Sequence, residues 1–170
     1  MVMINPEHAN FPRATFMRRL GAMVYDTLIA AGVLVFAVVF GFIAFLILIE
    51  SGLINNHGYK IVSDALLAVP LYKGIWQLYL TITLASFYAY FWSKSGQTLG
   101  MRTWRLKIQH PNGQNISMMA AYARVVWSLL GIGNIFIFLS ADKLALQDRM
   151  TRSEVVQLSK EANEMKNWRR

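Results

Sequence analysis

Between Asp26 and Glu50 the chain runs for 23 residues, Thr27 to Ile49, without a charged side chain. As a helix rising 1.5 Å per residue this run is about 35 Å long, enough to cross a bilayer with some tilt. A cleaved signal peptide has a shorter apolar core, roughly 7–15 residues, followed by a small-residue cleavage site. Here the run is longer and ends in Ile49-Glu50-Ser51, so it reads as a retained anchor. Composition agrees: 55% of the 170 residues are hydrophobic and 15% are charged, against roughly 25% charged in a soluble domain.

A second span is expected between Lys73 and Lys94, where Gly74 to Ser93 gives 20 uncharged residues. Tyr72 and Trp76 mark one end and Tyr88, Tyr90 and Trp92 the other, the placing of amphipathic rings at two membrane interfaces. Gln77, Thr81, Thr83 and Ser86 make this helix polar on part of its surface, which implies a protein-facing side. The apolar piece Ile61 to Val69, stopped by Pro70, is too short to span and reads as interfacial. The third segment, 17 uncharged residues between Arg124 and Asp142, is interrupted by Gly131-Ile132-Gly133-Asn134. Those residues suit a turn or helix end, leaving either a short span or a broken hairpin.

Positive charge orients the chain. Arg13, Arg18 and Arg19 precede the first span, and Lys94, Arg102, Arg105 and Lys107 follow the second, whereas the intervening loop offsets Lys60 and Lys73 with Glu50 and Asp64. The positive-inside rule then makes the N-terminus and second loop cytoplasmic. The tail adds further Lys and Arg; if it too is cytoplasmic, the third segment must enter and return. The alternation Trp104 to Gln109 followed by the turn residues His110-Pro-Asn-Gly-Gln114 predicts a hairpin, with Asn115 to Ser117 opening the partner strand. Val155 to Leu158 is a further strand whose edge that hairpin would cover. The expected fold is an all-α membrane protein: two full transmembrane helices, a third broken or re-entrant hydrophobic segment, and a small cytoplasmic β-hairpin or sheet. It forms one domain over residues 1–170, with a core at 11–158 and a polar tail at 159–170 that reads as a solvated, frayed helix.

Charge also marks the candidate chemistry. In "RRLGAMVYD", Arg18 to Asp26, an arginine and an aspartate stand seven residues apart, close to two helical turns, on nearly one helix face. A carboxylate at the mouth of a hydrophobic segment must lie near an interface, be paired, or be neutralised. One reading pairs Arg19 with Asp26 at headgroup level to fix the first helix, and an arginine fork suits such a pair. The other makes Asp26 a titrating site that exchanges a proton for a small cation. "GQTLGMR" lacks the spacing and the Gly-Lys-Ser/Thr ending of a Walker loop and reads as a turn out of the second helix. Arg102, Trp104, Arg105 and Lys107 are expected at anionic headgroups, each cation contributing about 1 kcal/mol. There is no cysteine, and His8, His57 and His110 stand singly, which removes thiolate sites and makes the histidines surface or interfacial groups.

Taken in order, "RRLGAMVYD", "SGQTLGMRTWRLKI" from Ser95 to Ile108, Arg124 at the opening of the third segment, and "LQDRMTRSEVV" from Leu146 to Val156 resemble the RDD family of small multi-pass membrane proteins, over about Phe11 to Leu158. The resemblance assigns the family's arginine to Arg19 and its aspartates to Asp26 and Asp148, and it makes Gly96, Gln97, Gly100 and Arg102 signature-loop residues. It implies a polar cluster of Arg19, Asp26, Asp148 and Arg124, and, by the association of some members with sodium/proton exchange, a cation/proton transporter. Met101 stands where members usually have a basic residue, and Gln147 where they often have histidine. A chain of two or three spans is thin for an ion pathway, so transport implies a homo-oligomer. The alternative is a non-transporting scaffold or accessory subunit for other membrane proteins. No enzyme, cofactor, metal or nucleic-acid partner is expected, and the expected location is a bacterial inner membrane, with anionic lipid headgroups as partners.

Overall fold

The structure, a computed structural model, describes residues 10–164. The apolar run does not begin a helix but continues one: α1 extends from Phe16 to Glu50, 35 residues without a break. Among the described residues no separate α-helix precedes it. No Pro lies between Phe16 and Glu50, so no residue removes a donor from its hydrogen-bond ladder. Among the described residues α1 alone is long and apolar enough to cross a membrane by itself. The predicted second span is α3, Pro70–Lys94; it reaches that standard only together with α2, Val62–Ala68, from which it is bent by 88°. Proline explains the bend: lacking an N–H, Pro70 opens a helix well and cannot continue one. The third hydrophobic segment is broken as expected, with α5, Met118–Ser128, followed by the 3-10 helix Leu129–Leu139. The break lies near Gly131, whose φ is +99°, and its two arms differ by 79°.

The chain divides into two compact units. The second holds residues 30–85. There Gly41 lets Trp76 and Tyr79 press against α1; a Cβ on Gly41 would lie 2.7 Å from a Tyr79 ring carbon. The Tyr79 hydroxyl donates to the Ala37 carbonyl at 3.0 Å, and Phe45 meets Tyr72 edge-on at 5.4 Å. Apolar side chains elsewhere on this stretch of α1, such as Val35, Phe36, Phe40 and Ile47, are exposed, which suits a surface solvated by lipid.

The first unit contains residues up to 29 and from 86 onward. Its core gathers Ala14, Ala22, Ala89, Met101, Leu106, Ile108, Ile116, Ala121 and Val155, flanked by Trp92 and Trp104. Here the predicted hairpin is corrected. β1, Leu106–Gln109, pairs antiparallel with β2, Glu154–Gln157, in the register Lys107↔Val156 and Ile108↔Val155. The turn at 110–114 forms, its His110 N–H bonded to the Gln114 carbonyl at 2.8 Å. Asn115 to Ser117 then make no strand. The Ser117 hydroxyl accepts the Ala120 N–H at 3.2 Å, capping α5, and the Asn115 amide donates to the Lys94 carbonyl at 2.9 Å at the end of α3. Helix capping suits these side chains better than a ladder position.

Both edges of the small sheet are covered, as exposed edges require. Arg13 bridges Val156 on one side, with Ala14 N–H to Val155 O and Gln157 N–H to Pro12 O both at 2.8 Å. On the other side Ile108 N–H donates to Gly96 O at 2.7 Å. Lys107, expected at the headgroups, is instead buried, its ammonium donating to the Gly113 carbonyl at 3.2 Å. A two-stranded sheet covered on both faces leaves no side of β1 for solvent. The part of the polar tail within the described residues is a turn rather than a helix, and Asn163 docks it on Gln97 and on the Arg102 carbonyl.

Candidate functional site

Asp148 lies on α6, Leu146–Met150, and is fully buried. An ionised carboxylate there requires compensation on both oxygens, and two arginines supply it. Arg19 from α1 donates Nη1 to Oδ2 at 2.7 Å, and Arg124 from α5 donates Nη2 to Oδ1. The Ala145 N–H adds a third bond, to Oδ2 at 3.0 Å. Arg124 is anchored further by the Ser153 hydroxyl and lies 5.8 Å from the centroid of the Trp92 ring. Burial alone would push the Asp148 carboxyl up; the Arg124 and Arg19 guanidiniums outweigh it and hold the group below the usual carboxylate range. The knot therefore holds two guanidiniums against one carboxylate, and Arg19 Nη2 is buried without a hydrogen-bond partner among the described residues.

Asp26 is not in that knot, which corrects the expected Arg19–Asp26 pair and the single four-residue cluster. The physical reason is side-chain direction. Helical side chains lean toward the N-terminus, so Arg19 reaches back to the Ala14 carbonyl, 3.4 Å from its Nε, and away from Asp26. Asp26 is itself only 5% exposed. Its Oδ2 accepts the Thr98 hydroxyl at 2.5 Å and its Oδ1 accepts the Gly100 N–H at 2.9 Å. Thr98 in turn accepts the Met101 N–H at 3.2 Å, capping α4, Leu99–Thr103. Among the described residues no cationic side chain bonds Asp26.

A family profile, the RDD family, matches residues 13–152, the stretch that carries both arginines and both aspartates. The chain belongs to the RDD family. RDD proteins are small multi-pass membrane proteins, in keeping with the apolar α1. No curated protein and no solved structure matches the chain.

In this RDD protein the loop from Gly96 to Arg102 is built around Asp26. A Cβ on Gly100 would sit 2.6 Å from both Asp26 Oδ1 and the Ala22 carbonyl, so only glycine lets the loop backbone approach α1 this closely. Gly96, at φ +72°, places its carbonyl on β1, where a Cβ would meet Ile108 O at 2.6 Å. Buried Gln97 donates Nε2 to Leu106 O at 2.6 Å and to Asn163 Oδ1 at 3.0 Å. Arg102 lies in the last turn of α4, and its carbonyl receives the Asn163 amide at 3.0 Å. Gln147 is buried beside Asp148 and donates Nε2 to Asn134 Oδ1 at 2.9 Å. An amide does not titrate, so this position carries no proton relay. Thr98, Ser153 and Asn134 were outside the sequence-level candidates. For Thr98 a signal was present, a threonine directly before a short helix; the other two become visible only when distant segments meet.

Proposed function

We propose that this RDD protein exchanges a small cation for protons across a bacterial inner membrane, as a homo-oligomer, with Asp26 as the exchanging group. One observation carries the reading: Asp26 is buried in the apolar helix with neutral donors alone, whereas Asp148 is locked by two guanidiniums. A carboxylate held by a hydroxyl and an N–H can take up or release a proton, or a cation in its place, without breaking an ion pair. Asp148 cannot do so without stranding two buried arginines. In this reading Asp148, Arg19 and Arg124 are the frame and Asp26 is the working group, and the activity is transport rather than enzymatic conversion.

The topology that accompanies this reading has a cytoplasmic N-terminus and a third segment that returns. Support comes from the sheet: β2 pairs with β1 and with the segment at Arg13, so the residues on both sides of 118–139 belong to one polar body. The start of α1 and the end of α3 belong to it too. A second reading, a scaffold or accessory subunit, is favoured by the same hydrogen bonds if they serve only to latch α4 to α1. Reconstituted vesicles separate the two. A sodium gradient drives proton flux in the wild type, and Asp26→Asn abolishes it while retaining the wild-type helix content. Flux indistinguishable from that of empty vesicles refutes the transport reading.

A further inference from the structure

Beyond the Asp26 site, the first unit carries an open cleft of about 700 Å³ lined by Arg13, His110, Asp142, Arg149, Arg152 and Glu154, with Asp148 in its wall. The charges here balance only at the surface. Three arginines of the lining face three carboxylates, Asp142, Asp148 and Glu154, but Arg19 and Arg124 both lie on Asp148 from behind, which leaves two guanidiniums in excess around the cleft. The knot is buried, so water screens its surplus charge weakly, and the cleft is the opening against which it lies. The arginines at the rim remain available: Arg149 and Arg152 are exposed, and Arg149 spends one nitrogen on the Ser140 hydroxyl at 2.8 Å. Arg13 is engaged, with Nε on Glu154 at 3.2 Å and Nη1 on the Asp142 carbonyl at 2.8 Å. These bonds neutralise Glu154 and fix one wall.

Two backbone features aim the rim. Arg152 sits at φ +47°, a left-handed conformation that a residue with a side chain adopts only when its surroundings hold it there. The His110 ring holds it there, Nδ1 lying 2.9 Å from the Arg152 carbonyl. A carbonyl only accepts, so Nδ1 carries the hydrogen and Nε2 is the ring's remaining polar atom. Planar guanidiniums with several N–H donors beside an imidazole match tetrahedral oxyanions, which accept forked hydrogen bonds from arginine. Arg13 stands three residues before Phe16, where the membrane-crossing helix begins, and so ties the cleft wall to the mouth of α1.

We infer that this cleft binds a phosphate group, carried either by an anionic lipid headgroup or by a soluble phosphate compound. The inference is independent of the transport reading, since Asp26 does not line the cleft. It is tested on the full chain purified in zwitterionic detergent, with inorganic phosphate and with dioleoyl-phosphatidylglycerol against dioleoyl-phosphatidylcholine as probes. Saturable thermal stabilisation by at least one phosphate probe beyond phosphatidylcholine is expected. Phosphatidylglycerol active and phosphate inactive identifies the lipid source; phosphate active and phosphatidylglycerol inactive identifies the soluble one. The Arg149→Gln/Arg152→Gln double variant is expected to lose at least tenfold in apparent affinity. Arg152→Gln alone, the milder variant should the double one fold poorly, is expected to lose about threefold, and Lys160→Gln, outside the cleft, to keep wild-type affinity. Equal binding by wild type and Arg152→Gln, or no stabilisation by either probe, overturns the inference.

Discussion

Replacing Asp148 with asparagine removes one negative charge and almost no volume, so its cost reads the knot's electrostatics rather than its packing. In the wild type Asp148 is fully buried and bonded to Arg19, Arg124 and the Ala145 N–H. The substitution leaves both guanidiniums buried with no counter-charge. Removing one partner of a buried pair typically costs 3–5 kcal/mol, and here two cations lose the same partner, which places the loss near the top of that range. For a chain of this size each kcal/mol moves the melting temperature by roughly 2–4 °C, so a fall of about 10–20 °C is expected. Tryptophan fluorescence follows it directly, because the Trp92 ring lies beside the Arg124 guanidinium. The pH dependence supplies a second check. The carboxyl titrates below its ordinary value in the fold, so its contribution is complete above the unfolded-state value of about 4 and disappears as pH falls through the lower folded value. The gap between wild type and Asp148→Asn therefore holds constant from pH 8 to pH 5 and narrows only below about pH 4. The triple replacement Arg19→Met/Arg124→Met/Asp148→Leu, which leaves no buried charge behind, recovers most of the loss. A single variant melting within 3 °C of wild type would refute the account of the knot.

Three further outcomes follow from the same geometry. Gly100→Ala forces a methyl group to within 2.6 Å of Asp26 Oδ1 and the Ala22 carbonyl; a destabilisation of about 1–3 kcal/mol is expected in thermal melts, with the loop lifted from α1. Thr98→Val keeps shape but removes the hydroxyl donated to Asp26, costing about 1–3 kcal/mol; in a double-mutant cycle with Asp26→Leu the two losses add to less than their sum. Lys107 is pulled down to about 8 by burial, so between that pH and the unfolded value near 10.4 the unfolded chain binds more protons than the fold. Stability consequently rises from pH 8 to pH 10, and Lys107→Met abolishes the rise.

The elements that needed only local information were legible before any coordinates. Twenty-three residues without charge dictate an apolar helix, Pro70 dictates where the short segment before α3 stops, and the glycines at 131 and 133 dictate a break in the third segment, because each acts through its own backbone or its immediate neighbours. The hairpin was misread for the same reason. Asn115 to Ser117 resemble a short strand in isolation, yet Ser117 and Asn115 find better bonds at two helix ends, while β1 finds β2 some 48 residues further on. Its charge places Lys107 at the headgroups, whereas a sheet covered on both faces places it in the core.

The sequence by itself demands compensation for Asp26, at the mouth of an apolar run, while Arg19, Arg124 and Asp148 are marked as polar-site residues by the family resemblance. Who bonds whom belongs to the tertiary structure. The spacing of seven residues places Arg19 and Asp26 on one helix face, but the backward lean of helical side chains carries the arginine toward Ala14 and within reach of Asp148, 129 residues away. That distance closes only when β2 joins the Arg13 segment to β1. The glycine at position 100 then brings α4 against Asp26, and the two acids acquire opposite surroundings, one held by guanidiniums and one by neutral donors.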